Sequence, residues 1–69
     1  MNKMRWNGYT ISVFNGNIRF ETDIPDGFVI YGDELKYMLA KVNNYRFTLL
    51  NDLPFKGLND VAEKLKEIT

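Results

Sequence analysis

The chain has no cysteine and no histidine. Disulfides, thiolate nucleophiles, imidazole bases and zinc sites built on those ligands are therefore excluded. Ser12 is the only serine, and without a histidine it has no partner for a serine triad. The five glycines stand apart from one another, so there is no glycine-rich phosphate loop. No apolar run is long enough to span a membrane, and the N-terminus does not read as a signal peptide. Excess charge is missing as well: nine basic and nine acidic residues give a formal net charge of zero, which argues against wholesale nucleic-acid binding. The lack of cysteine gives no reason to place the chain in an oxidising compartment, and the expectation is a cytoplasmic protein without cofactor or metal. Its Asn, Lys, Ile and Tyr content fits an AT-rich genome, such as that of a phage or another mobile element.

What is present is turn chemistry. The 69 residues are read as one small domain, 1–69, near the lower size limit for independent folding. Five Phe, four Tyr and one Trp supply the apolar area such a domain needs. Asn7-Gly8 and Asn15-Gly16 suit two-residue type I′ turns, and Pro25-Asp26-Gly27 suits a type I turn followed by a left-handed glycine. Read as hairpins, these turns predict a four-stranded antiparallel meander. Asn7-Gly8 sets Trp6 opposite Tyr9, Arg5 opposite Thr10, Met4 opposite Ile11 and Lys3 opposite Ser12. Asn15-Gly16 sets Val13 opposite Ile18, Ile11 opposite Phe20 and Ser12 opposite Arg19. Pro25-Asp26-Gly27 sets Ile24 opposite Phe28 and Thr22 opposite Ile30. All these registers place Met4, Trp6, Tyr9, Ile11, Val13, Ile18 and Phe20 on one apolar face.

In the second half, Asp33 reads as a helix N-cap, with Glu34 in the first turn. Leu35, Met38, Leu39 and Val42 follow the helical i, i+3, i+4, i+7 spacing, and Asn43-Asn44 reads as the stop. Tyr45 to Leu50 predicts a fifth strand with Tyr45, Phe47 and Leu49 inward. Two places are open to it: antiparallel beside the first strand, or parallel beside the fourth. Asn51-Asp52-Leu53-Pro54 reads as a loop, with Phe55 tucked under a final helix from Leu58 to about Ile68. The predicted fold class is α+β: a four-stranded antiparallel meander plus a fifth strand, in the order ββββαβα, with two helices packed on one sheet face in two layers.

The opposite sheet face is then open and carries Lys3, Arg5, Thr10, Ser12, Phe14, Asn17, Arg19, Glu21, Val29 and Tyr31. Charge is segregated along the chain. Residues 1–20 hold Lys3, Arg5 and Arg19 without an acid, and residues 21–34 hold Glu21, Asp23, Asp26, Asp33 and Glu34 without a base. The acidic stretch matches no calcium loop, and Asp26 and Asp33 have turn and cap roles. Trp6, Met4 and Met38 read as core. No convergent nucleophile, base or metal set is present, so the expectation is a non-catalytic module rather than an enzyme. The leading reading is a protein-interaction module (an inhibitor, adaptor or accessory regulator) that binds a protein partner through Lys3, Arg5, Phe14, Arg19, Val29 and Tyr31. Homodimerisation through that face or an exposed edge strand is a variant of it. The alternative is a nucleic-acid-binding module that uses the same basic and aromatic residues.

Overall fold

The computed structural model describes residues 2–16 and 24–69. Its strands are β1 (Asn2–Trp6), β2 (Tyr9–Val13), β3 (Gly27–Asp33), β4 (Lys36–Asn43) and β5 (Arg46–Leu49), followed by the helix α1 (Leu58–Ile68). They form one five-stranded mixed sheet in the order β1-β2-β3-β4-β5. The α+β class stands. The all-antiparallel meander and the two helices do not.

The first hairpin follows from its turn. Asn7 and Gly8 have φ of 47° and 84°, the positive pair that a type I′ turn requires. The register is the expected one: Trp6 with Tyr9, Arg5 with Thr10, Met4 with Ile11 and Lys3 with Ser12.

The second edge of β2 is taken by β3, which runs parallel to it from Thr10–Gly27 to Val13–Ile30. That arrangement replaces the expected hairpin beside β2. The partner strand proposed for it, Asn17 to Thr22, lies outside the described residues, as do Arg19, Phe20, Glu21 and Asp23. Asn15-Gly16 does not form the expected type I′ turn, since only Gly16 of the pair has a positive φ. Phe14 still donates its N–H to Ile30 O along the parallel pairing at 2.9 Å, whereas Gly16 and Gly32 form an antiparallel bridge with bonds of 3.1 and 2.9 Å.

The third turn is also reassigned. Phe28 lies between Ile11 and Lys41, and Ile30 between Val13 and Leu39, so Ile24 is not the partner of Phe28, and the expected partner of Ile30, Thr22, lies outside the described residues. Gly27 has a φ of 142°, far from the left-handed turn value. A Cβ there would sit 2.1 Å from the Thr10 carbonyl oxygen. The glycine allows close approach of two strand backbones rather than a hairpin reversal.

The segment expected as the first helix is β4, joined to β3 through Glu34-Leu35 and paired from Asp33–Lys36 to Gly27–Val42. Asp33 ends a strand instead of capping a helix. The helical spacing of Leu35, Met38, Leu39 and Val42 arises because β4 is apolar on both faces, and a continuous apolar run carries no period of its own. Asn44 and Tyr45, with φ of 50° and 64°, form the turn into β5. β5 pairs antiparallel with β4, in neither of the two positions expected for it.

Two apolar layers result. Ile11, Phe28, Ile30 and Leu39 meet Val61 and Leu65 of α1, with Trp6, Val13, Tyr37, Leu50 and Phe55 packed around them. On the other face Ile24, Val29, Ala40 and Val42 form a second cluster bordered by Phe14, Tyr31 and Phe47. Strict alternation along β3 divides Phe28 and Ile30 from Val29 and Tyr31. Met4 is half-exposed rather than core, and Tyr45 and Leu49 are exposed rather than inward.

Helix α1 has the predicted bounds. It starts after Gly57, carries Asp60 in its first turn and Lys66 in its last, and so complements its dipole. The Thr69 hydroxyl donates to Leu65 O at 2.6 Å at the C-terminal end. The loop before it is pinned by Asn51, whose Oδ1 accepts the Leu39 N–H at 2.9 Å and whose Nδ2 donates to Leu53 O at 2.8 Å. Beyond the end of β5, Phe55 pairs its backbone with Tyr37, which tucks its ring into the helix-side core.

Candidate functional site

Lys3, Arg5, Phe14, Val29 and Tyr31 fall on one sheet face, as expected, but that face is not open. Val29 is 0% exposed, and Phe14 and Tyr31 are half-buried against the second cluster. Arg19 lies outside the described residues. The sheet face expected to be open is packed: Val29 is buried there together with Ile24, Ala40 and Val42. Lys3 and Arg5 remain exposed, on β1 at the rim of the sheet.

Their position is set by the hairpin. A two-residue turn makes Trp6 and Tyr9 the hydrogen-bonded closing pair, and the bonded and non-bonded pairs alternate from there. Asn2, Met4 and Trp6 therefore bond to β2, while the N–H and C=O groups of Lys3 and Arg5 point away from the sheet. Among the described residues nothing pairs with that outer edge.

The two faces of β1 differ sharply. On one, Lys3 and Arg5 stand side by side. Arg5 Nη1 donates to Thr10 Oγ1 at 3.2 Å, and neither cation has an ion-pair partner among the described residues. The ion pair found among the described residues is Lys64–Glu67, at 3.7 Å on α1.

On the other face, Met4 and Trp6 border a groove of about 360 Å³ whose remaining walls include Ile11, Val13, Leu58 and Ala62. The groove exists because α1 packs over β4 and the Phe28–Ile30 stretch of β3, leaving the β1–β2 hairpin only partly covered. Its rims are open: Met4 and Leu58 are each 52% exposed. At one end the Trp6 indole N–H donates to Thr69 Oγ1 at 3.3 Å, tying the strand to the end of the helix. Trp6 is thus half-buried and acts as a wall of the groove as well as a core residue.

Other candidates have less to offer chemically. A shallow hollow near the Asn7-Gly8 turn is lined by Arg5, Thr10 and Lys41, but also by Asp26. Asp26 Oδ1 is already engaged, accepting the Asn44 N–H at 3.1 Å and so bracing the β4–β5 turn. No group of three His, Cys, Asp or Glu side chains among the described residues is arranged to hold a metal ion. The Ser12 hydroxyl is fully buried and has no hydrogen-bond partner among the described residues. No helix among the described residues is long and apolar enough to cross a membrane.

Two signals in the sequence pointed toward β1. Lys3 and Arg5 alternate with Met4 and Trp6, and residues 1–20 carry no acid. The contribution of Leu58 and Ala62 was not readable, because it depends on where α1 lies across the sheet.

The structural class is a small mixed five-stranded sheet with one C-terminal helix, and its candidate site is the cationic strand β1, whose outer edge is unpaired among the described residues, beside an apolar groove. Comparison of the chain with protein-family models, curated proteins and solved structures gives no match.

Proposed function

We propose that this chain is a small non-catalytic module that binds a segment of another protein along β1 and the adjoining groove. The observation that carries this reading is the outer edge of β1, unpaired among the described residues, lying directly beside an open apolar groove. Backbone groups of an edge strand supply affinity for an extended partner, and a neighbouring apolar pocket supplies selectivity. The groove is of the size of small recognition pockets, and its Trp and Met walls are of the kind enriched at interfaces. The contact set therefore shifts from the sheet face first expected to Lys3, Met4, Arg5, Trp6, Leu58 and Ala62.

The test is selection of displayed random peptides on the purified chain, repeated with Met4→Lys and Leu58→Lys. Both positions are half-exposed, so both variants should keep the parent's melting behaviour. Enrichment of peptides that either variant fails to bind is the expected result. Failure to enrich any peptide, or enrichment indifferent to both substitutions, would overturn the reading. Salt-sensitive oligonucleotide binding that needs Lys3 and Arg5 but tolerates Met4→Lys would replace it with the nucleic-acid alternative.

A further inference from the structure

We infer that the partner segment is an added β-strand in which acidic residues alternate with apolar ones, its carboxylates lying level with Lys3 and Arg5 and its apolar side chains entering the groove beside Met4. This rests on the module reading above and adds the chemistry of the ligand.

Lys3 and Arg5 are the two β1 residues whose backbone groups point outward, so any strand that bonds to this edge must align with them. Their side chains project to the sheet face opposite α1, on the same side as Ser12 and Val29. A strand laid against β1 in either direction alternates its side chains between that cationic face and the groove face. Positions on the first face meet two exposed cations that have no ion-pair partner among the described residues. Positions on the second meet Met4, Leu58 and Ala62. Opposite charges directly across a strand pair are favourable and like charges are not.

The same geometry argues against a second copy of this chain as the occupant. In an antiparallel pairing of two β1 edges, the outward-bonding residues must face one another, and here these are Lys3 and Arg5 in both copies. Every such register sets cation against cation. Edge lysines are a general device for preventing self-association of sheets. Protection alone, however, requires no apolar groove on the opposite face of the same strand. The combination selects a strand with the complementary sign.

The experiment uses the isotope-labelled chain and three synthetic nine-residue peptides. One alternates glutamate with valine, the second alternates lysine with valine, and the third has the first peptide's composition with glutamates and valines in separate blocks. The expected result is binding of the alternating glutamate peptide about tenfold or more tighter than either other peptide, weakening with salt. Lys3 and Arg5 amides should gain protection from hydrogen exchange, because they become bonded. In Lys3→Glu combined with Arg5→Glu, the preference should reverse toward the lysine peptide. This reversal is a gain of binding that an unfolded variant could not produce. Equal binding of all three peptides, an absence of protection at Lys3 and Arg5, or no reversal would overturn the inference. Selected peptides that still required Met4 and Leu58 would leave the module reading standing. Failure of the selection itself would remove both.

Discussion

Replacing Ser12 with alanine should stabilise this chain. Ser12 lies mid-strand in β2 between Lys3 of β1 and Val29 of β3, is 0% exposed, and its hydroxyl has no hydrogen-bond partner among the described residues. Burial of an unsatisfied hydroxyl costs about 1–3 kcal/mol, since the hydroxyl is bonded to water in the unfolded chain. Against this stands the small void left by one oxygen atom, which costs less than the ~1 kcal/mol typical of a methyl-sized cavity. The net expectation for Ser12→Ala is a gain of about 0.5–2 kcal/mol. In a domain of this size each kcal/mol moves Tm by roughly 4–8 °C. Urea unfolding followed by Trp6 fluorescence, with circular dichroism as a second probe, reads the change directly. The midpoint should rise while the slope m stays constant, because the area exposed on unfolding barely changes. A loss of more than about 1 kcal/mol at unchanged m would mean that the hydroxyl makes a bond worth that much in the native state, and the reasoning would fail.

Two further substitutions probe the backbone. Gly27→Ala should destabilise by about 3 kcal/mol or more, since its Cβ would meet the Thr10 carbonyl at 2.1 Å with φ at 142°; a thermal melt followed by circular dichroism should show a large drop in Tm or no cooperative transition, and a near-parental melt would contradict the close strand approach. Tyr45→Gly should stabilise by about 0.5–1 kcal/mol, because Tyr45 is 71% exposed at φ 64° in a two-residue turn that favours Asn-Gly. Leu35, 67% exposed at φ 68°, should respond to glycine in the same direction, and urea midpoints of both variants check the sign.

Strained turn positions that hold a large exposed side chain run against the local rules that otherwise hold in this fold. Asn7-Gly8 obeys those rules, and its hairpin could be read residue by residue. Glu34-Leu35 and Asn44-Tyr45 do not, and there the sequence suggested a helix start and a helix stop. The turn chemistry was legible where the residues met the φ requirement by themselves, and hidden where strand pairing imposes it. Of the candidate site, Lys3 and Arg5 were legible as exposed cations on one face of a hairpin. Val29 was assigned to the correct face but read as open, because the packing of that face around Ile24, Ala40 and Val42 is a long-range outcome.

Taken alone, the sequence determined the β1–β2 register, the bounds of α1, and the alternation that separates cations from apolar side chains on β1. Each of these is a local property: a two-residue turn, a 3.6-residue period, a two-residue period. The tertiary structure decided that β3 joins β2 in parallel, that residues 36–43 form a strand, that the second sheet face is packed, and that α1 leaves the β1 side uncovered. Those outcomes depend on contacts between distant segments. A run that is apolar on every side can serve as helix or strand, and only the faces it meets in the folded chain select between them.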